Sequence, residues 1–212
     1  MGIVECATET LQAVYPVRVT RDAKSRWRRR LRARLAALDP AEAARSAAAV
    51  AERTLALPEV ARARRVFTCL SFGDELDTRG LVERLLDDGR EVYVPRTEAG
   101  DPQIHVHRYP CELRTLSFGL RQPRPDQPEV PPSAVDATLG VALVLGLGFD
   151  RRGIRLGYGR GYFDRFLAGR PFPAVGLCYD LQLVDRLPSE GHDVPMAVVV
   201  TGSEVVRRTG GS

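Results

Sequence analysis

The chain is poor in lysine and cysteine, and it has no long apolar run. Its four cysteines are scattered without a CxxC pair, which argues against a structural zinc site and against a disulfide framework. The longest apolar stretch, around residues 141–149, is far shorter than the roughly 20 residues that span a bilayer. The N-terminal residues lack the order of a signal peptide, because two glutamates precede the basic cluster. We therefore expect a cytoplasmic protein that does not enter membranes.

Positive charge is supplied almost entirely by arginine and is concentrated near the N-terminus. Of the 31 lysine and arginine residues only Lys24 is a lysine, which favours a task suited to a compact ammonium, such as reaching a phosphate. Residues 18–34 hold nine basic residues and one acid, a net charge of +8 in a chain whose total is +4. This concentration favours one anionic ligand site over a nucleic-acid face along the whole chain.

Apolar, strand-like runs alternate with helical patterns. Strands are predicted at residues 66–70, 91–94, 104–109, 141–145, 174–178 and 196–200, and helices at about 24–38, 41–56, 78–88, 162–167 and within 180–187. Because most of these strands are apolar throughout, we expect an α/β fold with a mostly parallel sheet and helices on both faces, a three-layer αβα arrangement. We expect residues 1–20 to be a partly disordered leader and residues 21–212 to form a single domain.

Two segments are expected at the surface. The strand at 104–109 alternates polar and apolar residues, which is typical of an exposed or edge strand and leaves His105 and His107 exposed rather than bound to a metal. Residues 119–135 contain five prolines and are expected to form a surface connection.

The most informative segment is the glycine-rich stretch from Gly146 to Asp164, which follows the apolar run 141–145. It predicts a strand, a loop and then a helix, and its backbone N–H groups could bind phosphate. Arg155 and Arg160 could clamp a phosphate, whereas Asp150 and Asp164 could hold a divalent metal. The spacing matches neither GxxxxGK[ST] nor GxGxxG, so a P-loop and a dinucleotide site are both disfavoured, and a purely structural turn remains the alternative.

Two further acidic residues are candidates. Glu75 follows the strand at 66–70 and has no capping task, so it could bind the N–H groups of a ligand. Asp193 lies in a loop and could equally be a ligand carboxylate or a turn residue.

These residues resemble the 5-formyltetrahydrofolate cyclo-ligase (5,10-methenyltetrahydrofolate synthetase) family over about residues 24–205. The similarity is carried by Lys24-Ser-Arg-Trp-Arg28, by Ser71 to Thr78, by Gly146-Leu-Gly-Phe-Asp150, by Gly153-Ile-Arg-Leu-Gly-Tyr-Gly-Arg-Gly-Tyr-Phe-Asp164, and by His192-Asp-Val-Pro-Met196 with Thr201. The chain departs from the family pattern at Trp27, Leu35, Leu145, Arg160 and Phe163.

The resemblance implies a Rossmann-like domain of the NagB/RpiA/CoA-transferase kind that uses ATP and Mg²⁺ to close 5-formyltetrahydrofolate to 5,10-methenyltetrahydrofolate, releasing ADP and phosphate. The formyl oxygen would attack the γ-phosphoryl group, and N10 would then close on the activated carbon. The implied ATP-binding residues are Lys24, Arg28, Arg155, Leu156, Gly157, Tyr158, Gly159, Arg160, Gly161, Tyr162 and Phe163. The implied folate-binding residues are Leu70, Glu75, Tyr158, Gly159, Arg160, Gly161 and Tyr162. Arg155, Arg160 and Tyr162 would be catalytic, and Asp164 and Asp193 would serve Mg²⁺, with Asp150 a weaker candidate.

Two alternatives stay open at this point. One is an ATP-dependent enzyme of similar build that acts on another small acceptor. The other is a nucleic-acid-binding module led by the arginine-rich helix, which the near-neutral remainder of the chain disfavours. For the leading interpretation we expect a monomer whose partner is a small-molecule substrate, with no nucleic acid and no membrane involved.

Overall fold

The structure is a computed structural model that describes residues 21–208. The expected leader, residues 1–20, lies outside the described residues. The described residues form six α-helices: α1 (Arg21–Ala36), α2 (Pro40–Ala56), α3 (Pro58–Ala61), α4 (Arg79–Asp87), α5 (Val135–Thr138) and α6 (Tyr162–Leu167). No helix in this part of the chain is both long and apolar enough to span a bilayer.

The strands form one large sheet and two small ones. They are β1 (Arg65–Thr68), β2 (Glu91–Arg96), β3 (His105–Tyr109), β4 (Leu113–Thr115), β5 (Arg121–Pro123), β6 (Glu129–Val130), β7 (Val141–Val144), β8 (Gly148–Asp150), β9 (Arg155–Leu156), β10 (Ala174–Leu177), β11 (Leu183–Val184), β12 (Val198–Val200) and β13 (Val205–Arg207). The large sheet has the order β13-β12-β10-β7-β1-β2-β3-β6. Its five central strands are parallel, and β13, β3 and β6 join antiparallel.

Successive residues of the central strands face opposite sides of the sheet, and each side has its own core. Val66, Val141 and Leu143 pack with α2, α3 and α4, whereas Phe67 and Ala142 pack with α5 and α6. Fully buried parallel strands explain why their sequences are apolar throughout rather than alternating. The three-layer, mostly parallel α/β prediction is confirmed.

The antiparallel side of the sheet differs from the prediction. Strand β3 lies between β2 and β6 instead of at an edge, and His107 is fully buried. The Nε of Arg96 donates to His107 Nε2 at 3.1 Å, and His107 Nδ1 lies 3.0 Å from the carbonyl oxygen of Pro128. Because both ring nitrogens of His107 have hydrogen-bond partners, this polar side chain can be buried. The alternation of polar and apolar residues in the sequence does not show that such partners are present.

Two predicted loops contain additional structure. Residues 119–135 include β5, β6 and a 3-10 turn, so they are more than a surface connection. The glycine-rich stretch contains the antiparallel pair β8–β9 before α6. The short helix expected within 180–187 is a 3-10 helix at Asp180–Gln182, and it is followed by β11, which pairs with β8. The reason is burial, because Phe149 and Leu156 are almost completely enclosed and need a paired backbone.

Asp150 is not a metal ligand but a buried structural carboxylate. Its Oδ1 accepts from the backbone N–H groups of Arg152 and Ile154 at 2.9 and 3.0 Å. Its Oδ2 accepts from the Arg152 guanidinium at 2.7 Å and from the N–H of Leu187 at 2.9 Å. Both oxygens are saturated, so the expectation that Asp150 serves Mg²⁺ is wrong.

We expect Asp150→Asn to lower the free energy of unfolding by about 2–4 kcal/mol, because an amide N–H₂ would face buried donors. Urea denaturation measures this loss. The matched control is Asp136→Asn, since Asp136 is half exposed and pairs with Arg170 at 2.8 Å, and it should cost less than about 1 kcal/mol. Equal small losses for both variants would contradict the structural role of Asp150.

Candidate active site

A cleft of about 880 Å³ opens at the carboxyl ends of β1, β2 and β7. Strand carboxyl ends at one edge of a parallel sheet are the usual place for ligands in such folds. The structure brings to this cleft the residues that the sequence predicted for ATP, folate and Mg²⁺, apart from Asp150. They are Lys24, Arg28, Leu70, Glu75, every residue from Arg155 to Asp164, and Asp193.

Lys24 holds α1 to the loop that carries Asp193. Its Nζ donates to the two carboxylate oxygens of Asp193 at 2.9 and 2.8 Å and to Glu190 Oε2 at 2.8 Å. Burial lowers the pKa of Lys24, but the hydrogen bonds to Asp193 and Glu190 outweigh it, so the pKa is raised. The ammonium therefore stays charged at this end of the cleft.

Two glycines let guanidinium groups lie directly on the loop. Arg28 Nε donates to the carbonyl oxygen of Gly157 at 2.9 Å, and a Cβ on Gly159 would lie 3.2 Å from Arg28 Cζ. Gly159 also has a φ of +105°, and a Cβ on Gly157 would lie 2.6 Å from Arg155 Nη1. Side chains at these positions would push both arginines away from the backbone.

Arg155 is buried and paired. Its Nη2 donates to Asp164 Oδ2 at 3.2 Å, and its guanidinium lies 5.1 Å from the ring centre of Phe163. Burial lowers the pKa of Arg155, and the negative charge of Asp164 opposes that effect. The Phe163 ring packs edge-on against Phe67 in the core, with the ring centres 6.3 Å apart.

Glu75 is presented by a tightly closed loop after β1. The backbone N–H groups of Ser71 and Thr78 each donate to the other residue's hydroxyl at 3.1 Å. Glu75 Oε1 accepts from the Tyr158 hydroxyl at 2.9 Å, and burial raises the pKa of Glu75 to about 7. The carboxyl group can therefore gain or lose a proton near neutral pH.

A hairpin that the sequence did not reveal forms the far wall of the cleft. The hairpin consists of β4 and β5, and Phe118 lies near its tip. Gln122 attaches it to the end of β2, because the side-chain amide accepts from the N–H of Thr97 at 3.1 Å and donates to the carbonyl oxygen of Thr97 at 3.0 Å. Phe118 is 60% exposed and packs on Phe72 at 5.7 Å between ring centres. The signal that could have found this turn is Gly119 between two short strand-like runs.

The cleft carries basic side chains that lack an acidic partner. Lys24 and Arg155 are paired with carboxylates, as described above. Within the described residues, the guanidinium groups of Arg28, Arg121 and Arg160 have no carboxylate in salt-bridge range. The site therefore suits a ligand with several negative charges.

A family model for the 5-formyltetrahydrofolate cyclo-ligase family matches residues 20–202. The chain belongs to this family. The cyclo-ligase of Escherichia coli is 34% identical over 181 residues, covering 82% of this chain and 98% of the relative. The cyclo-ligase of Haemophilus influenzae is 32% identical over 180 residues, covering 82% of this chain and 93% of the relative.

Solved structures agree with this assignment. The 5,10-methenyltetrahydrofolate synthetase of Aquifex aeolicus superposes with a TM-score of 0.74 at 30% identity, covering 89% of this chain and 94% of that one. A synthetase from Mycoplasma pneumoniae has a TM-score of 0.66 at 20% identity and supports the fold alone. The sequence resemblance to the cyclo-ligase family is confirmed.

Because burial raises the pKa of Glu75 from 4.5 to about 7, we expect a pH-dependent stability difference between the wild type and Glu75→Gln. Below about pH 4.5 the wild-type carboxyl is neutral in both states. As the pH rises towards 7, the folded wild type binds protons that the unfolded chain has lost, so it becomes less stable relative to Glu75→Gln.

Urea denaturation between pH 4 and about pH 8 measures this difference. Glu52→Gln is a control of opposite sign, because the Arg84 partner lowers the pKa of Glu52. As the pH falls below 4.5, the wild type should become less stable relative to Glu52→Gln. A Glu75→Gln difference that stays flat across the range would show that Glu75 is not desolvated.

Proposed function

We propose that this cleft is where the cyclo-ligase carries out the reaction of its family, the ATP-dependent conversion of 5-formyltetrahydrofolate to 5,10-methenyltetrahydrofolate. The observation that carries the proposal is the position of the loop from Gly157 to Gly161. One side of that loop meets Arg28 and Arg155, and the other side meets Glu75 through Tyr158. A phosphate donor and a folate can thus meet across one short segment.

The phosphates of ATP are proposed to bind at the α1 end. Lys24 and Arg28 supply positive charge, and the backbone N–H groups of the segment from Leu156 to Phe163 add donors that need no side chain. Arg155 is positioned by Asp164 and adds a fixed charge below the loop. Phosphoryl transfer depends mainly on such alignment and charge neutralisation.

Asp164 and Asp193 are the residues proposed to hold Mg²⁺. Carboxylate oxygens suit this ion, which commonly binds through one or two carboxylates plus substrate phosphates. Ligand atoms of Glu190 and His192 lie within 4.8 Å of a carboxylate oxygen of Asp193, so Glu190 adds a second carboxylate beside Asp193, whereas Asp164 is not part of this group. Asp193 also pairs with Lys24, and Asp164 pairs with Arg155. Because phosphates would bind these basic side chains and leave the aspartates to the ion, we expect the ion and the phosphates to bind together. The ion would neutralise charge on the transferred group.

The folate is proposed to bind between Glu75 and the hairpin wall. Leu70 offers an apolar contact, and the Glu75 carboxylate can accept from the N–H groups of the pterin ring. Tyr162 donates from its hydroxyl to the carbonyl oxygen of Glu98 at 2.9 Å, which fixes its ring beside the loop. This arrangement holds the formyl oxygen for direct attack on the γ-phosphoryl group.

A covalent route through a cleft thiol is disfavoured. Cys69 lines the cleft, but burial raises its pKa to about 12, so the sulfur stays protonated at neutral pH. Direct transfer between aligned substrates needs no such nucleophile. We therefore propose that Arg155, Arg160 and Tyr162 act by orienting the substrates and by stabilising charge.

We also propose a cytoplasmic monomer that uses no nucleic acid. The cleft is walled by residues 24–193 of a single chain, so no second chain is needed to complete it. The arginine-rich helix α1 has a task within the site, because Lys24 and Arg28 face the cleft and the Arg32 guanidinium lies 5.5 Å from the ring centre of Tyr158. These contacts give the basic residues a purpose other than binding nucleic acid.

The direct test is the growth of methenyl-folate absorbance when purified protein is mixed with 5-formyltetrahydrofolate, ATP and Mg²⁺. Omission of ATP or Mg²⁺ should abolish the signal. No absorbance change with all components present would overturn the proposal. Hydrolysis of ATP only with a different small acceptor would favour the related enzyme with a changed substrate.

We expect Lys24→Ala to raise the KM for ATP about 10-fold, because a charge-assisted contact to phosphate is lost. The KM for 5-formyltetrahydrofolate should change little. Glu75→Gln should show the reverse pattern, with the larger effect on the folate. Arg26→Ala is the matched control, since Arg26 is an exposed cation on the same helix outside the cleft. An unchanged KM for ATP in Lys24→Ala would refute the phosphate role.

A further inference from the structure

We propose that Arg121 and Arg160 form a subsite for the carboxylates of the substrate's glutamyl tail. This inference rests on the proposed function, since the tail belongs to the folate. A folate carries two carboxylates on its terminal glutamate, at the end of the molecule opposite the pterin ring. The subsite must therefore lie in the same cleft as Glu75, with room between them for the aminobenzoyl ring.

Arg121 lies on a strand that is attached to the large sheet. It begins β5, where it pairs with Thr115 of β4, and the next residue is the buried Gln122. Because Gln122 exchanges two hydrogen bonds with the backbone of Thr97, the strand cannot shift independently of β2. Arg121 itself is exposed and lines the cleft, so its guanidinium is presented to solvent from a rigid strand.

Arg160 is held at the same end of the cleft. The guanidinium of Arg165 donates to the carbonyl oxygen of Arg160 at 2.8 Å and to that of Pro102 at 3.0 Å. Arg165 therefore ties the glycine loop to the segment that follows β2. Thr97, which anchors the hairpin of Arg121, lies in that same segment. Arg160 and the strand of Arg121 are thus both fixed to the residues after β2, and both residues line the cleft there.

The two arginines are not neutralised by the protein. Glu98 is the carboxylate of the cleft at this end, and its Oε1 pairs with both Arg96 and Arg114. Arg121 and Arg160 have no acidic partner among residues 21–208. Exposed guanidinium groups are suited to bidentate binding of carboxylates. Two uncompensated charges match the two carboxylates of one terminal glutamate.

Exposed aromatic rings adjoin both Glu75 and the two arginines, since Tyr158 donates to Glu75 and lies two residues before Arg160, and Phe118 lies three residues before Arg121. Phe118 is 60% exposed and Tyr158 is 43% exposed, and both contact Phe72, with ring centres 5.7 and 6.0 Å away. Large exposed rings grouped at a cleft mouth favour a ligand over bare solvent. They supply an apolar shelf for the aminobenzoyl ring, which separates the pterin from the glutamate. A pterin at Glu75, an aminobenzoyl ring on this shelf and a glutamate at the two guanidinium groups would match the order of groups in the substrate.

The test compares two substrates, 5-formyltetrahydrofolate and 5-formyltetrahydropteroate, which lacks the glutamate. We expect Arg121→Gln and Arg160→Gln each to raise the KM for the complete substrate about 10-fold, the scale of one charge-assisted contact at an exposed site. In Arg121→Gln the KM for the truncated substrate and the KM for ATP should stay unchanged, because the truncated substrate has no tail to lose and Arg121 has no other proposed task. In Arg160→Gln the rise in KM should be larger for the complete substrate than for the truncated one, because Arg160 is also proposed to orient the substrates. For the wild type, truncation itself should raise the KM.

Arg124→Gln is the matched control, since Arg124 follows the same hairpin but pairs with Glu112 and Asp126 away from the cleft. It should leave both KM values unaltered. Equal effects of Arg121→Gln on the two substrates, or no effect on either, would overturn the inference. Equal effects of Arg160→Gln on the two substrates would remove Arg160 from the subsite. Failure of the wild type to form product from either substrate would instead refute the proposed function.

Discussion

The cleft depends on how α1 is held across the edge of the sheet. Leu31 is completely buried between Leu156 and Leu187, and it fills the space over Gly148, where a Cβ would lie 2.5 Å from its Cδ1. This apolar contact fixes the rotation of the helix about its axis. Lys24 and Arg28 lie seven and three residues earlier, so the same rotation turns both towards the glycine loop. The packing of one leucine thereby determines where these two positive charges lie.

The charged groups of the site are arranged as pairs that can be exchanged. Isolated charges this close to the interior would be costly, so Lys24 is held by Asp193 and Glu190, and Arg155 by Asp164. Under the proposed function, the basic side chains would pair with phosphates of the ligand, and the aspartates would bind a metal ion instead. The free energy of ligand binding is then the difference between two well-paired states. Little charge needs to be desolvated anew when the ligands arrive.

Much of the fold and part of the site could be predicted from the sequence, for identifiable reasons. The parallel strands are apolar on both faces, which is a local property of their residues. The glycine loop combines residue type with position after a strand, and its similarity to the family is continuous along the chain. Those signals located Lys24, Glu75 and the segment from Arg155 to Asp164 within one cleft.

The errors concern side chains whose surroundings come from distant parts of the chain. Asp150 has the residue type of a metal ligand, but it is surrounded by N–H donors that include Leu187. His107 alternates like an exposed residue, yet Arg96 and Pro128 satisfy its ring nitrogens in the interior. The hairpin wall was missed because its prolines suggested a connection, whereas pairing of β4 with β5 and the contact of Gln122 with Thr97 turn it into structure.

The attachment of that hairpin through an amide side chain has an evolutionary consequence. Gln122 attaches the base of the hairpin to β2, whereas Phe118 and Arg121 are exposed and lie outside the core. Substitutions at exposed positions usually change stability little, so the tip can vary at a small cost in folding. The end of the cleft at α1, where the nucleotide is proposed to bind, has less freedom, because its glycines and charged side chains contact one another. Substitutions in the hairpin tip can thus change the acceptor specificity of the enzyme, while the proposed ATP-binding residues stay the same.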